Sequence, residues 1–83
     1  MMQTIFIDGR DYATAAELHD AIAMMLDFLE HYGRNADALN DCLGELGHPV
    51  RVIVTHMGEG EVAAKLEICL RVFEDNGGQF RRP

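Results

Sequence analysis

The 83-residue sequence is short of basic residues. Seven lysines and arginines stand against fourteen aspartates and glutamates, for a formal charge of −7. Such a field repels phosphate backbones and anionic headgroups, so it argues against nucleic-acid or membrane binding and favours a basic partner or plain solubility. Cysteine is scarce too, with only Cys42 and Cys69. A short secreted scaffold held by disulfides usually carries four or more, so two reduced thiols in apolar surroundings are expected. No long hydrophobic run exists: the longest apolar stretch, "AIAMMLDFL", is interrupted by Asp27 and is far too short to span a bilayer. The opening "MMQTIFIDGR" has no charged leader followed by an apolar segment, so no signal peptide is expected and the reading is cytoplasmic. Repeats, linkers and low-complexity tracts are also missing. What remains is one small domain over residues 1–83 with a thin core, since chains of this length bury only about 60% of their unfolded surface.

The residue sets that carry chemistry are equally sparse. His19, His31, His48 and His56 never pair at i, i+4 on one helix, and no H-E-x-x-H occurs, so no metal site is expected. Both thiols fall within apolar stripes, where burial blunts a nucleophile. Asp8-Gly9 lacks the further glycines of a phosphate-binding loop. No catalytic residue, cofactor or metal is expected, and the chain does not read as an enzyme.

The elements present can be read in order. "TIFI" (Thr4 to Ile7) is β-rich and closes at an Asp-Gly turn. Thr14-Ala15-Ala16-Glu17 fits a capping box, and Leu18, Ile22, Met25 and Leu29 then recur at helical spacing, predicting a helix from Ala15 to Leu29 with His19, Asp20 and Asp27 on its outer side. After a break at His31 to Arg34, Asn35 can cap a second helix that Gly44 or Gly47 ends, with Ala38, Leu39, Cys42 and Leu43 inward and Asp37, Asn40, Asp41 and Gly44 outward. "VRVIVT" after Pro49 reads as a strand buried on both sides apart from Arg51. Val62, Ala63, Leu66, Cys69, Leu70 and Phe73 mark a third helix, Asn76-Gly77-Gly78 stops it, and "QFRRP" suits a short edge strand. Strands separated by helices need crossovers, which predicts a layered α/β domain with a three-stranded parallel sheet. Right-handed crossovers put the helices on one face and leave the other wanting cover.

One feature resists a purely structural reading. Asp37 and Asp41 lie four apart, where like charges on a helix repel by about 0.2–0.5 kcal/mol. Asp37 is explained by the helix dipole, because it lies in the first turn. Asp41 is not, and aspartate is a mediocre helix former besides. Short, stiff carboxylates on a rigid convex surface suit insertion into a cationic pocket built for phosphate.

The stretch "HYGRNADALNDCL" (His31 to Leu43) resembles the central motif of the barstar family, intracellular inhibitors of barnase-type ribonucleases. Tyr32, Gly33, Asn35, Asp37, Ala38, Leu39, Asp41, Cys42 and Leu43 match it. The similarity runs back through Leu18-His19 to Asp8-Gly9; beyond Leu43 it rests on element order. The resemblance implies a small barstar-like α/β domain, a three-stranded parallel sheet packed with helices. It implies a stoichiometric inhibitor, monomeric when free, whose second helix plugs a basic extracellular-type ribonuclease or nuclease toxin. In that reading Asp41 occupies a phosphate subsite and Asp37 pairs at the rim, with His31, Gly33, Asn35, Ala36, Asn40 and Gly44 around them. His31 and Asn40 stand where the family carries aromatics, and Val72 falls near the place of an acidic contact from the third helix. Asn40 and Val72 favour the alternative: an interaction or regulatory module that kept the fold and lost the nuclease.

Overall fold

A computed structural model describes residues 2–28 and 32–83. The elements run β1 (Gln3–Asp8), α1 (Ala15–Leu26), α2 (Ala36–Leu46), β2 (Val50–His56), α3 (Gly60–Asp75) and β3 (Gln79–Arg81), with a 3-10 turn at Gly9–Asp11. This is the expected order. The strands form one sheet, β1-β2-β3, parallel throughout: Gln3 to Ile7 pair with Val50 to Val54, and Arg51 to Ile53 pair with Gln79 to Arg81.

The sheet is buried on one face only. Ile5, Ile7, Val50, Val52 and Val54 join a single core with Leu18, Ile22 and Leu26 of α1, Leu39 and Leu43 of α2, and Val62, Leu66, Cys69, Leu70 and Phe73 of α3. The alternate positions Thr4, Phe6, Arg51, Thr55, Gln79 and Arg81 are exposed, and Phe6 retains 65% of its accessible surface. The expectation that β2 is covered on both sides is therefore corrected. Its side chains alternate, and only Ile53, half-buried, made the run look apolar throughout.

Local signals set most of the boundaries. Thr14 Oγ1 accepts from the Glu17 amide at 3.2 Å, and Glu61 Oε2 of α3 accepts from the Ala15 amide at 3.3 Å, so two of the four unsatisfied donors at the start of α1 find partners. α1 ends at Leu26, earlier than the periodicity predicts. Asp27 turns left-handed (φ 58°), its amide donates to the Met24 carbonyl oxygen, and the Phe28 amide reaches back to that of Ala23 at 2.9 Å, a Schellman closure. Leu29 lies outside the described residues.

At the far end of β1, Asp8 accepts from the Arg10 side chain through both carboxylate oxygens (3.1 and 2.9 Å) and from the Arg10 amide at 3.0 Å. The Arg10 guanidinium holds this carboxyl down to about 2. His56 Nδ1 lies 3.4 Å from the same group. Here the backbone at Gly9 passes against Met57 and Gly58, leaving no room for a side chain. At the other edge of the sheet Arg82, beyond β3, is ion-paired with Glu67 of α3 and stands 5.3 Å over the Phe80 ring.

Candidate partner-binding site

The site begins at Tyr32. Its half-buried ring lies 5.5 Å from that of Phe28 and 5.6 Å from the His19 imidazole, and its hydroxyl is 2.6 Å from His19 Nδ1. His19 itself is only 4% exposed, and its Nε2 lies 4.0 Å from Cys69 Sγ. This corrects the outward placement of His19. Residues 19, 22 and 26 share a helical stripe, and a polar ring can lie on it because a hydroxyl and a thiol occupy its two nitrogens. Burial lowers the pKa of His19 and raises those of Tyr32 and Cys69, the last to about 11. α1, α3 and the chain entering α2 are thus joined through one neutral polar cluster.

That cluster has a consequence for pH. An unfolded histidine takes up a proton near pH 6.5, whereas the buried ring resists it until lower pH. In between, the unfolded chain binds more protons, so stability falls as pH drops below about 6.5. Urea denaturation at pH 7.5 and 5.5 should show this loss. In His19→Gln, whose amide can donate and accept without titrating, the loss should shrink. An equal pH dependence in both forms would assign it to other groups.

From Tyr32 the chain is guided into α2. Arg34 is left-handed (φ 55°), and its Nε donates to Asp20 Oδ1 of α1 at 2.7 Å. Asn35 then caps α2: its Oδ1 accepts from the Ala38 amide at 2.8 Å, while its Nδ2 donates to the Gly33 carbonyl oxygen at 3.1 Å. Aspartate could do the first and not the second, so the amide serves both the helix and the loop. An added Cβ at Gly33 would approach Ala38 Cβ to 3.2 Å, so the loop lies close on the first turn.

Asp37, Asn40, Asp41 and Gly44 are all exposed along one side of α2, with Gly33 and Asn35 exposed just before it and Ala36 half-buried between. His31 lies outside the described residues. Leu39 and Leu43 are buried on the opposite side. Cys42 is half-buried rather than fully inward; burial foremost, then Glu45 and Asp41, pushes its thiol up. Among the described residues, neither Asp37 nor Asp41 has an ion-pair partner. Gly44 has nothing within 4 Å of where a Cβ would stand, yet glycine inside a helix costs about 1 kcal/mol relative to alanine. Packing does not require it. A close approach from outside would.

The side of α2 nearest α3 is tied down. Asn76, the residue closing α3, donates through Nδ2 to Asn40 Oδ1 and to the Val72 carbonyl oxygen, each at 2.9 Å. Neither Asn76 nor Tyr32 stands out as a site residue in the sequence. Tyr32 is visible only as part of the motif, and Asn76 only as a helix stop. Val72 is half-buried and packs against the core, while Glu74 and Asp75 at the end of α3 are exposed. No cluster of three or more histidine, cysteine, aspartate or glutamate side chains among the described residues is placed to hold a metal ion.

Comparison with known proteins adds two findings. The family model described as "Barstar (barnase inhibitor)" matches residues 2–82. A Bacillus subtilis (strain 168) protein named "Putative ribonuclease inhibitor YrdF" is 55% identical over 42 residues, which are 51% of this chain and 46% of that protein. The chain therefore spans about half the length of that relative.

Proposed function

Since this chain belongs to the barstar family, we propose that it is a stoichiometric, non-enzymatic inhibitor of a basic, barnase-type ribonuclease. It acts in the cytoplasm as a free monomer, entering the enzyme's active site with the exposed side of α2. Asp41 takes the place of an RNA phosphate among the nuclease's cationic side chains, and Asp37 pairs closer to the rim. Gly33, Asn35, Ala36, Asn40 and Gly44 shape the surface around them, together with His31. The observation that carries this reading is a rigid, convex helix holding two carboxylates four residues apart, with no cation beside them among the described residues. Their mutual repulsion is a cost in the free protein that a basic cleft would relieve. Gly44 supports the same reading, because it keeps the surface low where a partner's backbone would come near.

A second reading, an interaction module that no longer inhibits a nuclease, is favoured by Asn40 standing where the family has a large aromatic. Aromatic anchors dominate many interfaces. Inhibition and its salt dependence separate the two. Equimolar protein should abolish cleavage of an RNA substrate by a barnase-type ribonuclease. Stopped-flow association should slow at least tenfold between roughly 0.01 M and 0.5 M salt, because the encounter is steered across solvent by the −7 field. Dissociation should change far less, since seated pairs are largely dehydrated. Undiminished cleavage at excess protein would sink the inhibitor reading. Inhibition with a salt-independent on-rate would keep it but assign the charge to solubility.

A further inference from the structure

The link between Asn76 and Asn40 fixes more than the spacing of two helices. A main-chain carbonyl oxygen can only accept a hydrogen bond. Because Asn76 contacts the Val72 oxygen at 2.9 Å, the atom it presents there must be its Nδ2. That same nitrogen faces Asn40, so the Asn40 atom opposite it, also at 2.9 Å, must be the acceptor Oδ1. The two donors of the Asn40 amide are thereby turned away from the α2–α3 seam. Asn40 is exposed, and its Nδ2 has no acceptor among the described residues. α2 thus presents an oriented NH2 group directly beside Asp41 and one turn after Asp37.

We infer that Asn40 is a specificity residue that reads a carboxylate on the partner, with Asn76 as the positioning residue that holds its amide in the donating orientation. This rests on the inhibitor reading above and adds the chemistry of the partner. An anion, a donor pair and a second anion on α2 are complementary to a cation, an acceptor and a second cation in the cleft. Asn40 stands on the α3 flank of the Asp37–Asp41 pair, so the acceptor it meets lies beside the cations that those carboxylates attract, and the acceptor that balances such cations is an ionised carboxylate. A donor–carboxylate contact is charge-assisted and roughly twice as strong as a neutral one. A position that would otherwise offer only apolar contact area becomes a discriminating one. A nuclease with a carboxylate there is accepted, and one with another cation there sets that cation against a donor.

The test uses the full chain and a barnase-type ribonuclease as probe. Asn40→Asp keeps the shape and the oxygen facing Asn76 but replaces the donor with a second acceptor. It should weaken the complex at least ~30-fold, mainly through faster dissociation, while the denaturation midpoint of the free protein stays close to wild type. Asn76→Ala frees the Asn40 amide to turn over and should weaken the complex several-fold. The second substitution should then add little on top of Asn40→Asp, a non-additivity that a merely structural Asn76 would not show. If Asn40→Asp binds as tightly as wild type or tighter while Asp41→Ala binds poorly, the donor role is overturned and the inhibitor reading stands. If Asp41→Ala binds as well as wild type, or no complex forms at all, the inhibitor reading fails and this inference fails with it. In the free protein, heteronuclear NMR should show distinct, slowly averaged side-chain amide signals for Asn40 that move in Asn76→Ala. Signals unmoved by that change would overturn the positioning role independently of any partner.

Discussion

Asp41→Ala is expected to weaken the complex with a barnase-type ribonuclease by about 2–5 kcal/mol while leaving the free protein as stable as before, or slightly more so. The two effects have opposite origins. In the complex, removing the carboxylate strands desolvated cations on the partner, and most of the loss is the penalty of leaving those charges buried without a counter-ion. In the free protein Asp41 is exposed, makes no ion pair among the described residues, and lies four residues from a like charge. Its removal relieves about 0.2–0.5 kcal/mol of repulsion and substitutes the best helix former for a mediocre one. Chemical denaturation and binding of the same preparation measure both. A variant that unfolds more readily and yet binds normally when folded would make Asp41 a structural residue and remove the ground for reading α2 as a phosphate mimic.

The second large effect lies at the opposite end of the molecule. Gly9→Ala should destabilise the protein by about 3 kcal/mol or more. A Cβ built on Gly9 would stand 2.3 Å from the Met57 carbonyl oxygen, 2.4 Å from its carbon and 2.8 Å from the Gly58 nitrogen. All three are main-chain atoms, so no rotamer change clears the space. The chain leaving β1 and the chain leaving β2 would have to separate, just where the parallel register already shifts between Ile7 and Asp8. Against a total stability of roughly 4–12 kcal/mol for a domain of this size, such a loss is a large fraction. Thermal unfolding should show a midpoint lower by more than ~10 °C. A loss under about 1 kcal/mol would mean that the Met57–Gly58 segment can move aside and that the close approach is not a constraint.

Gly9 also shows where sequence reading reaches its limit. Asp8-Gly9 is legible as a strand stop, but the physical need for glycine comes from a crossing with residues nearly fifty positions away. Features governed by near neighbours are legible throughout. Thr14 and Asn35 cap the helices expected of them, Gly47 ends α2 in a left-handed conformation, and the exposed side of α2 follows from its spacing alone. Features that need a distant partner are not. His19 looks like a surface residue until Tyr32 and Cys69 are seen to occupy its nitrogens. Asn40 reads as a lost aromatic until Asn76, 36 residues on, is found to orient its amide. α1 runs too long in the periodicity because an aspartate in a left-handed cap carries no signal as strong as glycine would. The candidate site was readable because it lies on one helix and the loop before it. The clusters that hold that loop in place draw on three elements.

The parallel sheet also sets a timetable. Gln3 pairs with Val50 and Ile7 with Val54, so β1 leaves the ribosome with nothing to bind until a further stretch of roughly 50 residues has been made. At about 5–20 residues per second that wait lasts several seconds, during which a β-rich segment carrying Ile5, Phe6 and Ile7 has no strand beside it. α2, by contrast, is complete before β2 exists, yet it packs chiefly on α3, so its buried Leu39 and Leu43 wait until Gly60–Asp75 has been made. The acidic surface of a newly made molecule therefore gains its rigidity only once α3 has been translated. For a protein whose proposed task is to intercept a ribonuclease inside the cell that makes it, that moment marks the earliest at which each new copy can protect.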